Sequence, residues 1–195
     1  MTIPFRVKLL TKTAKEPTRE NAGDLWDLYA DDFCTKYSKH KPENQFFKEC
    51  LEYEAKGVYK LRKNDRVLVK TGISLELPIK MVLRDEWIFK SDYKDVWINN
   101  ILRDVIASYA VADIRPRSGL ALKHGITVLN PPGTIDNSYR KEIGVILYNA
   151  GHEPYTITKG DKIAQMLIRP LYPSKMEIVK DIEDTGRGGY GSTGK

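Results

Sequence analysis

Residues 126–149, ITVLNPPGTIDNSYRKEIGVILYN, read as a β-hairpin with chemistry at its tip. Ile126, Val128, Ile143, Val145 and Leu147 place β-branched or large apolar groups at alternate positions on both sides, a strand pattern. Between them Pro131-Pro132-Gly133 cannot continue a ladder but folds a turn. An amide (Asn130), a carboxylate (Asp136), an aromatic hydroxyl (Tyr139) and a guanidinium (Arg140) crowd these few residues. A plain hairpin needs none of them. A site that positions a base, a sugar and an attacking water needs groups of all these kinds.

On the N-terminal side, residues 110–125, AVADIRPRSGLALKHG, give a strand, a Pro-restricted turn and then Arg117-Ser118-Gly119. Gly119 lets a backbone approach a ligand closely, and Arg117 offers a two-pronged donor to phosphate oxygens. A short helix from Leu120 to Lys123 starts just after Ser118, where backbone N–H groups can face an anion. On the C-terminal side, residues 155–171 give two strands joined by Lys159-Gly160-Asp161. Gln165 stands there among Ile163, Leu167 and Ile168; its partners are backbone groups or a ligand. The chain ends in Gly186-Arg187-Gly188-Gly189-Tyr190-Gly191-Ser192-Thr193-Gly194-Lys195, a mobile arm by composition whose N–H groups, Ser192 and Thr193 can wrap phosphates.

Further out, residues 3–10 read as a first strand, and Asp27-Leu28-Tyr29-Ala30 as a short strand with an acidic residue at its start. In residues 31–57, Phe47, Cys50, Leu51 and Glu54 follow helical spacing that Gly57 can close. Residues 58–77 return to strands around an Asn64-Asp65 turn, ended by Pro78. Residues 85–109 read as a second helix, with Ile98, Ile101, Leu102, Val105, Ile106 and Tyr109 in one apolar stripe. Trp87 and Trp97 read as packing.

A chain of 195 residues with a net charge of +6 suits one domain with a sizeable core. The basic excess suits nucleic acid, a membrane surface or a phosphorylated small molecule, or merely a soluble surface. There is no secretory signal and no apolar run long enough to span a bilayer. Cys34 and Cys50 lack a Cys-x-x-Cys spacing, and reduced thiols in a cytoplasm are the expectation. Cys34, His40 and Cys50 fit no zinc spacing.

Taken in order, five segments resemble the trimeric dUTPases: Asp27-Leu28-Tyr29-Ala30; Arg117-Ser118-Gly119-Leu120-Ala121; Gly133 through Ile143; Gly160-Asp161-Lys162-Ile163-Ala164-Gln165; and Gly188 through Gly194. The resemblance covers residues 3–30, 58–78 and 109–195. It implies a mainly β, jelly-roll subunit of the β-clip type with helical insertions, three subunits to an assembly. It implies a β domain over residues 1–184, with insertions near 31–57 and 79–108, and a flexible arm over 185–195. It also implies a cytoplasmic enzyme whose partners are dUTP and its own copies, with no membrane and no direct nucleic-acid binding. The insertions imply a protein partner or, more simply, extra packing on the rim of a trimer.

The implied reaction converts dUTP and water to dUMP and pyrophosphate with Mg²⁺. By position, Asp136 would be the general base for the water that attacks the α-phosphorus. Tyr139 would pack on the deoxyribose and leave no room for a 2′-hydroxyl. The backbone near Gly133 and Ile135 would meet the uracil edge, and Asn130 would add a polar contact. Arg117, Ser118, Gly119 and Gln165 would hold the triphosphate, and Asp27 would contact the waters of the Mg²⁺ ion. From the arm, Tyr190 would stack on uracil, and Arg187, Ser192 and Thr193 would meet phosphate.

Several positions depart from the family pattern. Ala22-Gly23 lies two residues too far before Asp27, so Asp24 or Asp27 can hold the acidic role, and the Leu28-Tyr29-Ala30 that follows favours Asp27. Lys141 stands where Gly is usual, and Thr185 where the arm carries Arg. Arg187, two positions later, is the candidate replacement. A related rival is a dCTP deaminase-like enzyme, but Ile146-Leu147-Tyr148-Asn149 lacks that family's catalytic Glu. A rival of another class is a dUTP-controlled regulatory binding protein that uses the insertions.

Overall fold

The computed structural model describes residues 3–20, 25–34, 57–78, 109–172, 174–183 and 186. In chain order the strands are β1 (Arg6–Leu9), β2 (Trp26–Tyr29), β3 (Asp32–Cys34), β4 (Val58–Leu61), β5 (Arg66–Lys70), β6 (Ile73–Glu76) and β7 (Tyr109–Arg115). The helix α1 (Ser118–His124) follows, then β8 (Ile126–Val128), β9 (Gly133–Ile135), β10 (Gly144–Asn149), β11 (Tyr155–Thr158) and β12 (Lys162–Leu171). Two four-stranded sheets, β3-β5-β10-β8 and β2-β12-β7-β9, and two pairs, β1-β6 and β11-β4, enclose one core. This is the mainly β architecture that the sequence leads one to expect.

Alternation decides which side chains fill that core. Val67 and Val69 on β5, Val145 and Leu147 on β10, and Ala110, Ala112 and Ile114 on β7 are all buried. Their neighbours point to the opposite face of each sheet, as a period of two requires, and on β7 Val111 and Asp113 are buried on that face as well. Burying a Val, Leu or Ile side chain contributes about 1.5–3 kcal/mol, so a core of this size outweighs the shortness of individual strands.

The hairpin forms at its ends and diverges in its middle. β8 and β10 are antiparallel, with Val128 opposite Leu147 and Ile126 opposite Asn149. Between them the Pro131–Pro132 bond is cis, and Gly133–Ile135 form β9, which leaves this sheet altogether. β9 pairs with β7, with Thr134 opposite Asp113 and Ile135 opposite Ala112. Three residues are too few to display a period, and this pairing is a tertiary choice rather than a local propensity.

At the start of the stretch 31–57, Asp32–Cys34 form β3, where Phe33 lies buried opposite Val69 of β5. One expectation needs correction. Tyr109 does not close a helical stripe; it opens β7 opposite Leu171. Its offset of three from Ile106 is a coincidence of spacing at an element boundary. The expected helices around Phe47 to Glu54 and Ile98 to Ile106 lie outside the described residues, as do His40, Cys50, Trp87 and Trp97. Gly57 has φ +73°, suited to closing a helix.

The turn at Asn64, with φ 59°, forms as expected, but it carries the chain between sheets rather than folding a hairpin. The Lys159-Gly160-Asp161 turn does the same, since β11 pairs with β4 while β12 lies between β2 and β7. Asn149 ties the loops at that end together. Its side-chain amide donates to the carbonyls of Leu61 at 3.0 Å and Glu153 at 2.9 Å, and its oxygen accepts the Gly151 N–H at 2.8 Å. At the start of β7 the Ala110 N–H donates to the Pro78 carbonyl at 3.3 Å, so the chain returns where it left after β6. No helix among the described residues is long and apolar enough to cross a membrane.

Candidate active site

Three stretches distant in sequence meet at one end of the β2-β12-β7-β9 sheet. Antiparallel pairing sets Asp27 of β2 opposite Gln165 of β12, and Gln165 opposite Arg115 of β7. Asp27 is only 4% exposed, yet ionised partners surround it. Arg117 Nη1 lies 2.5 Å from its Oδ1, Lys162 Nζ lies 3.0 Å from its Oδ2, and Gln165 Nε2 donates to Oδ1 at 3.4 Å. The partner of Gln165 is thus a carboxylate, and Gln165 itself is half-buried.

Two carboxylates, Asp27 and Glu20, are set against two cations, Arg117 and Lys162. Asp27 also orients the Arg117 guanidinium while leaving donors for an anion. Lys162 is a residue that the sequence reading quoted without assigning a role. Glu20 and Asp27 both pair with it and raise its ammonium above the usual lysine range. Arg117 is also the residue before α1, with extended φ −84° and ψ 127°. No side chain caps the first turn of that helix. Ser118 and Gly119 are exposed there, and a Cβ on Gly119 would meet no atom within 4 Å. The smallness of Gly119 therefore keeps open space open, rather than serving contacts within the chain.

The second group lies on the loop between β8 and β10. Ile135 packs its side chain against the core. Among the described residues β9 pairs with β7 alone, so its other edge is unpaired there. Asn130 leans over the start of β9: its Nδ2 would be 3.4 Å from a Cβ on Gly133. Asp136 follows β9 directly, is exposed, and accepts the Tyr139 N–H on its carbonyl at 3.1 Å, closing a tight turn. Arg140 Nη1 donates to the carbonyls of Asn137 at 2.5 Å and Tyr139 at 3.0 Å, bracing that turn. The Tyr139 ring is 39% exposed, and its hydroxyl donates to the Glu142 carbonyl at 2.9 Å.

Two supports of this loop escaped the sequence reading. The Glu142 carboxylate accepts the Gly72 N–H at 3.0 Å and pairs with Lys70 at 3.3 Å, fastening the far end of the loop to the β5–β6 turn. The near end is held by Asp113, whose Oδ1 accepts the Thr134 hydroxyl at 2.9 Å and whose Oδ2 lies 2.6 Å from Arg169 Nε. Burial pushes the Asp113 carboxyl up. The bonds from Arg169 and Thr134, with the charges of Arg169 and Arg115, outweigh that and hold it below the usual carboxylate range. An Asp amid the apolar run Ala110 to Ile114 was the available signal.

The structure brings Asp27, Arg117 and Gln165 together and gathers Asn130, Gly133, Ile135, Asp136 and Tyr139 on one loop. No hydrogen bond or ion pair among the described residues joins the two groups directly; β7 runs between them. Asp24, Arg187, Tyr190, Ser192 and Thr193 lie outside the described residues. Among the described residues no group of three or more His, Cys, Asp or Glu is placed to hold a metal ion. The donor set at Asp27 is one carboxylate engaged by two cations, which does not make a cage for a bare cation. It suits an ion that arrives on a polyphosphate and keeps its waters.

A family model described as dUTPase matches residues 81–194. The deoxyuridine 5'-triphosphate nucleotidohydrolase of Clostridium novyi is 46% identical over 136 residues, which are 69% of this chain and 75% of that protein. Its counterpart in Crocosphaera subtropica is 47% identical over 129 residues, 65% of this chain and 70% of that protein. That of Ehrlichia canis is 63% identical over 87 residues, 43% and 57% of the two. Among solved structures, a mutant dUTPase of Staphylococcus bacteriophage 80alpha with dUpNHpp gives a TM-score of 0.65 at 18% identity, with both chains covered in full. A mutant dUTPase from phage phi11 of S. aureus, described as revealing the coordination of a structural Mg(II) ion, gives 0.59 at 16% identity, covering 93% of this chain and 99% of that one. At such identities the two structures bear on the fold.

Proposed function

We propose, on the premise that this chain belongs to the dUTPase family, that it hydrolyses dUTP to dUMP and pyrophosphate. The observation that carries the reading is the convergence of Arg117, Lys162 and Gln165 on the buried carboxylate of Asp27. A corner that orients the Arg117 guanidinium and leaves it donors for an anion suits a triphosphate. Arg117, Ser118, the open backbone at Gly119, and Gln165 hold its oxygens. Asp27 would contact the waters of a Mg²⁺ ion brought by the nucleotide. When bound, that ion neutralises charge on the phosphates.

Asp136 orients a water and takes its proton as the oxygen attacks the α-phosphorus; the P–O bond on the far side breaks and pyrophosphate leaves. An exposed carboxylate at the end of a short strand is well placed to reach a ligand lying along that strand. The unpaired edge of β9 offers N–H and C=O groups to the uracil edge, and Asn130 adds a polar contact. The Tyr139 ring packs against the deoxyribose and excludes a 2′-hydroxyl.

The reading extends to a cytoplasmic homotrimer with sites between subunits. The separation of the two residue groups supports it, since a shared site need not be complete within one chain. Residues 1–184 form the body, and the arm, 185–195, closes a neighbour's site through Tyr190, Arg187, Ser192 and Thr193.

Pyrophosphate release measured across dUTP, dTTP, dCTP and UTP tests the proposal. Release from dUTP should exceed that from the other three by orders of magnitude. Equal rates on all four would overturn it, and ammonia released from dCTP would instead favour the deaminase.

A further inference from the structure

We propose that Asp113 is a positioning residue of the nucleotide loop, and that its carboxylate holds β9 in register through the Thr134 hydroxyl. This rests on the reading that β9 presents its backbone to the base and carries Asp136 at its end.

β9 has three residues and, among the described residues, pairs with β7 alone. A pairing that short is marginal by itself. The two prolines before it supply no N–H groups to strengthen the entry. A strand held so weakly can slip by one residue. Such a slip would turn Ile135 outward and Thr134 onto the core, and would carry Asp136 about 3.3 Å along the strand. Displacement of a general base by that distance abolishes its alignment with the water.

The side chains on the outer face oppose that slip. Thr134 stands opposite Asp113 on β7, and its hydroxyl donates to Oδ1 at 2.9 Å. In the slipped register no hydroxyl would face this carboxylate. Asp113 cannot yield, because it is 2% exposed and fixed from the other side. Arg169 of β12 holds Oδ2 at 2.6 Å, and Arg115 Nη2 lies 3.9 Å away. One buried carboxylate thus spans β12, β7 and β9. β12 also carries Gln165, so the same network references the loop to the strand at the phosphate corner.

The test uses the full-length protein with Thr134→Val, which keeps the branched shape and removes the hydroxyl, and Thr134→Ser, which keeps the hydroxyl. Two readouts are taken: amide hydrogen exchange over residues 133–135, and the ratio of kcat/KM for dUTP to that for dCTP. The valine variant should exchange faster there by about tenfold and lose a similar factor in the ratio, with an unchanged thermal midpoint. The serine variant should lie within about threefold of the parent. Exchange and ratio both unchanged in the valine variant would overturn the proposal. So would equal impairment of both variants, since the hydroxyl would not be the cause. A parent protein inactive on dUTP would sink the reading of the site, while the exchange measurement would still decide the role of Asp113.

Discussion

Arg117 Nη1 lies 2.5 Å from Asp27 Oδ1, joining the turn after β7 to the middle of β2 across the width of β12. With Lys162 on the other oxygen, this pair organises that end of the sheet. Asp27→Asn removes the charge at almost constant shape and takes from Arg117 its carboxylate partner, while Lys162 keeps Glu20. Losing one partner of a buried pair costs about 3 kcal/mol. A urea titration should show the midpoint fall accordingly, together with weaker Mg²⁺ activation. An unchanged midpoint would show the pair to be a bystander.

Asp136→Asn should keep the fold and bind nucleotide, since the exposed side chain supports no packing. Turnover should fall by roughly a hundred- to ten-thousand-fold. Single-turnover kinetics with bound dUTP separate this from a binding defect, and near-normal chemistry would remove Asp136 from its role.

If the Tyr139 ring excludes a 2′-hydroxyl, Tyr139→Ala should narrow the preference for dUTP over UTP. Tyr139→Phe removes only the bond to the Glu142 carbonyl, which contributes about 1 kcal/mol, and should retain most of the preference. Equal specificity ratios in the parent and the alanine variant would place sugar discrimination elsewhere.

Asp113 makes stability depend on pH on the acid side. Its carboxyl is held low in the folded state, so the stabilisation is fully present above the unfolded value near 4 and is lost as pH falls through the lower folded value. The stability gap between the parent and Asp113→Asn should therefore be constant from about pH 8 to about pH 5 and shrink below about pH 4. Denaturant unfolding at several pH values reads this directly. A gap that persisted undiminished to the lowest pH would contradict it.

Deleting residues 185–195 should leave the thermal midpoint almost unchanged while turnover collapses. Ordering such a Gly-rich segment costs on the order of 1 kcal/mol per residue, which contacts to the triphosphate must offset. Refolding the truncated protein together with Asp136→Asn subunits should restore measurable hydrolysis, because a mixed trimer can combine an intact Asp136 with a neighbour's intact arm. Verified mixed trimers without activity would exclude an arm that works on another subunit.

Much of this was legible in the sequence because it depends on local pattern. The paired strands around residues 126–149, the turn at Asn64 and the Arg117-Ser118-Gly119 helix start all follow from alternation or backbone chemistry within a few residues. What was missed depends on long-range pairing. β9 exists because β7 lies alongside it, and β3 because Phe33 finds Val69. The supports at Asp113, Glu142 and Lys162 join residues far apart in the chain, and nothing local distinguishes an Asp that will face an Arg from one that will face water. Asp27 was placed at the site from its motif, but its envelopment by Arg117, Lys162 and Gln165 was not foreseen.

The hydrogen bond from Ala110 N–H to the Pro78 carbonyl has a consequence for how the chain can change. Departure and return are joined by one hydrogen bond, so the two ends of the intervening span are held together. Lengthening such a span costs little, since closure entropy grows only with the logarithm of length. A change in the length of the chain between those two ends thus need not part Pro78 from Ala110. The position works as a port at which new recognition can be fitted while the hydrolytic machinery stays as it is.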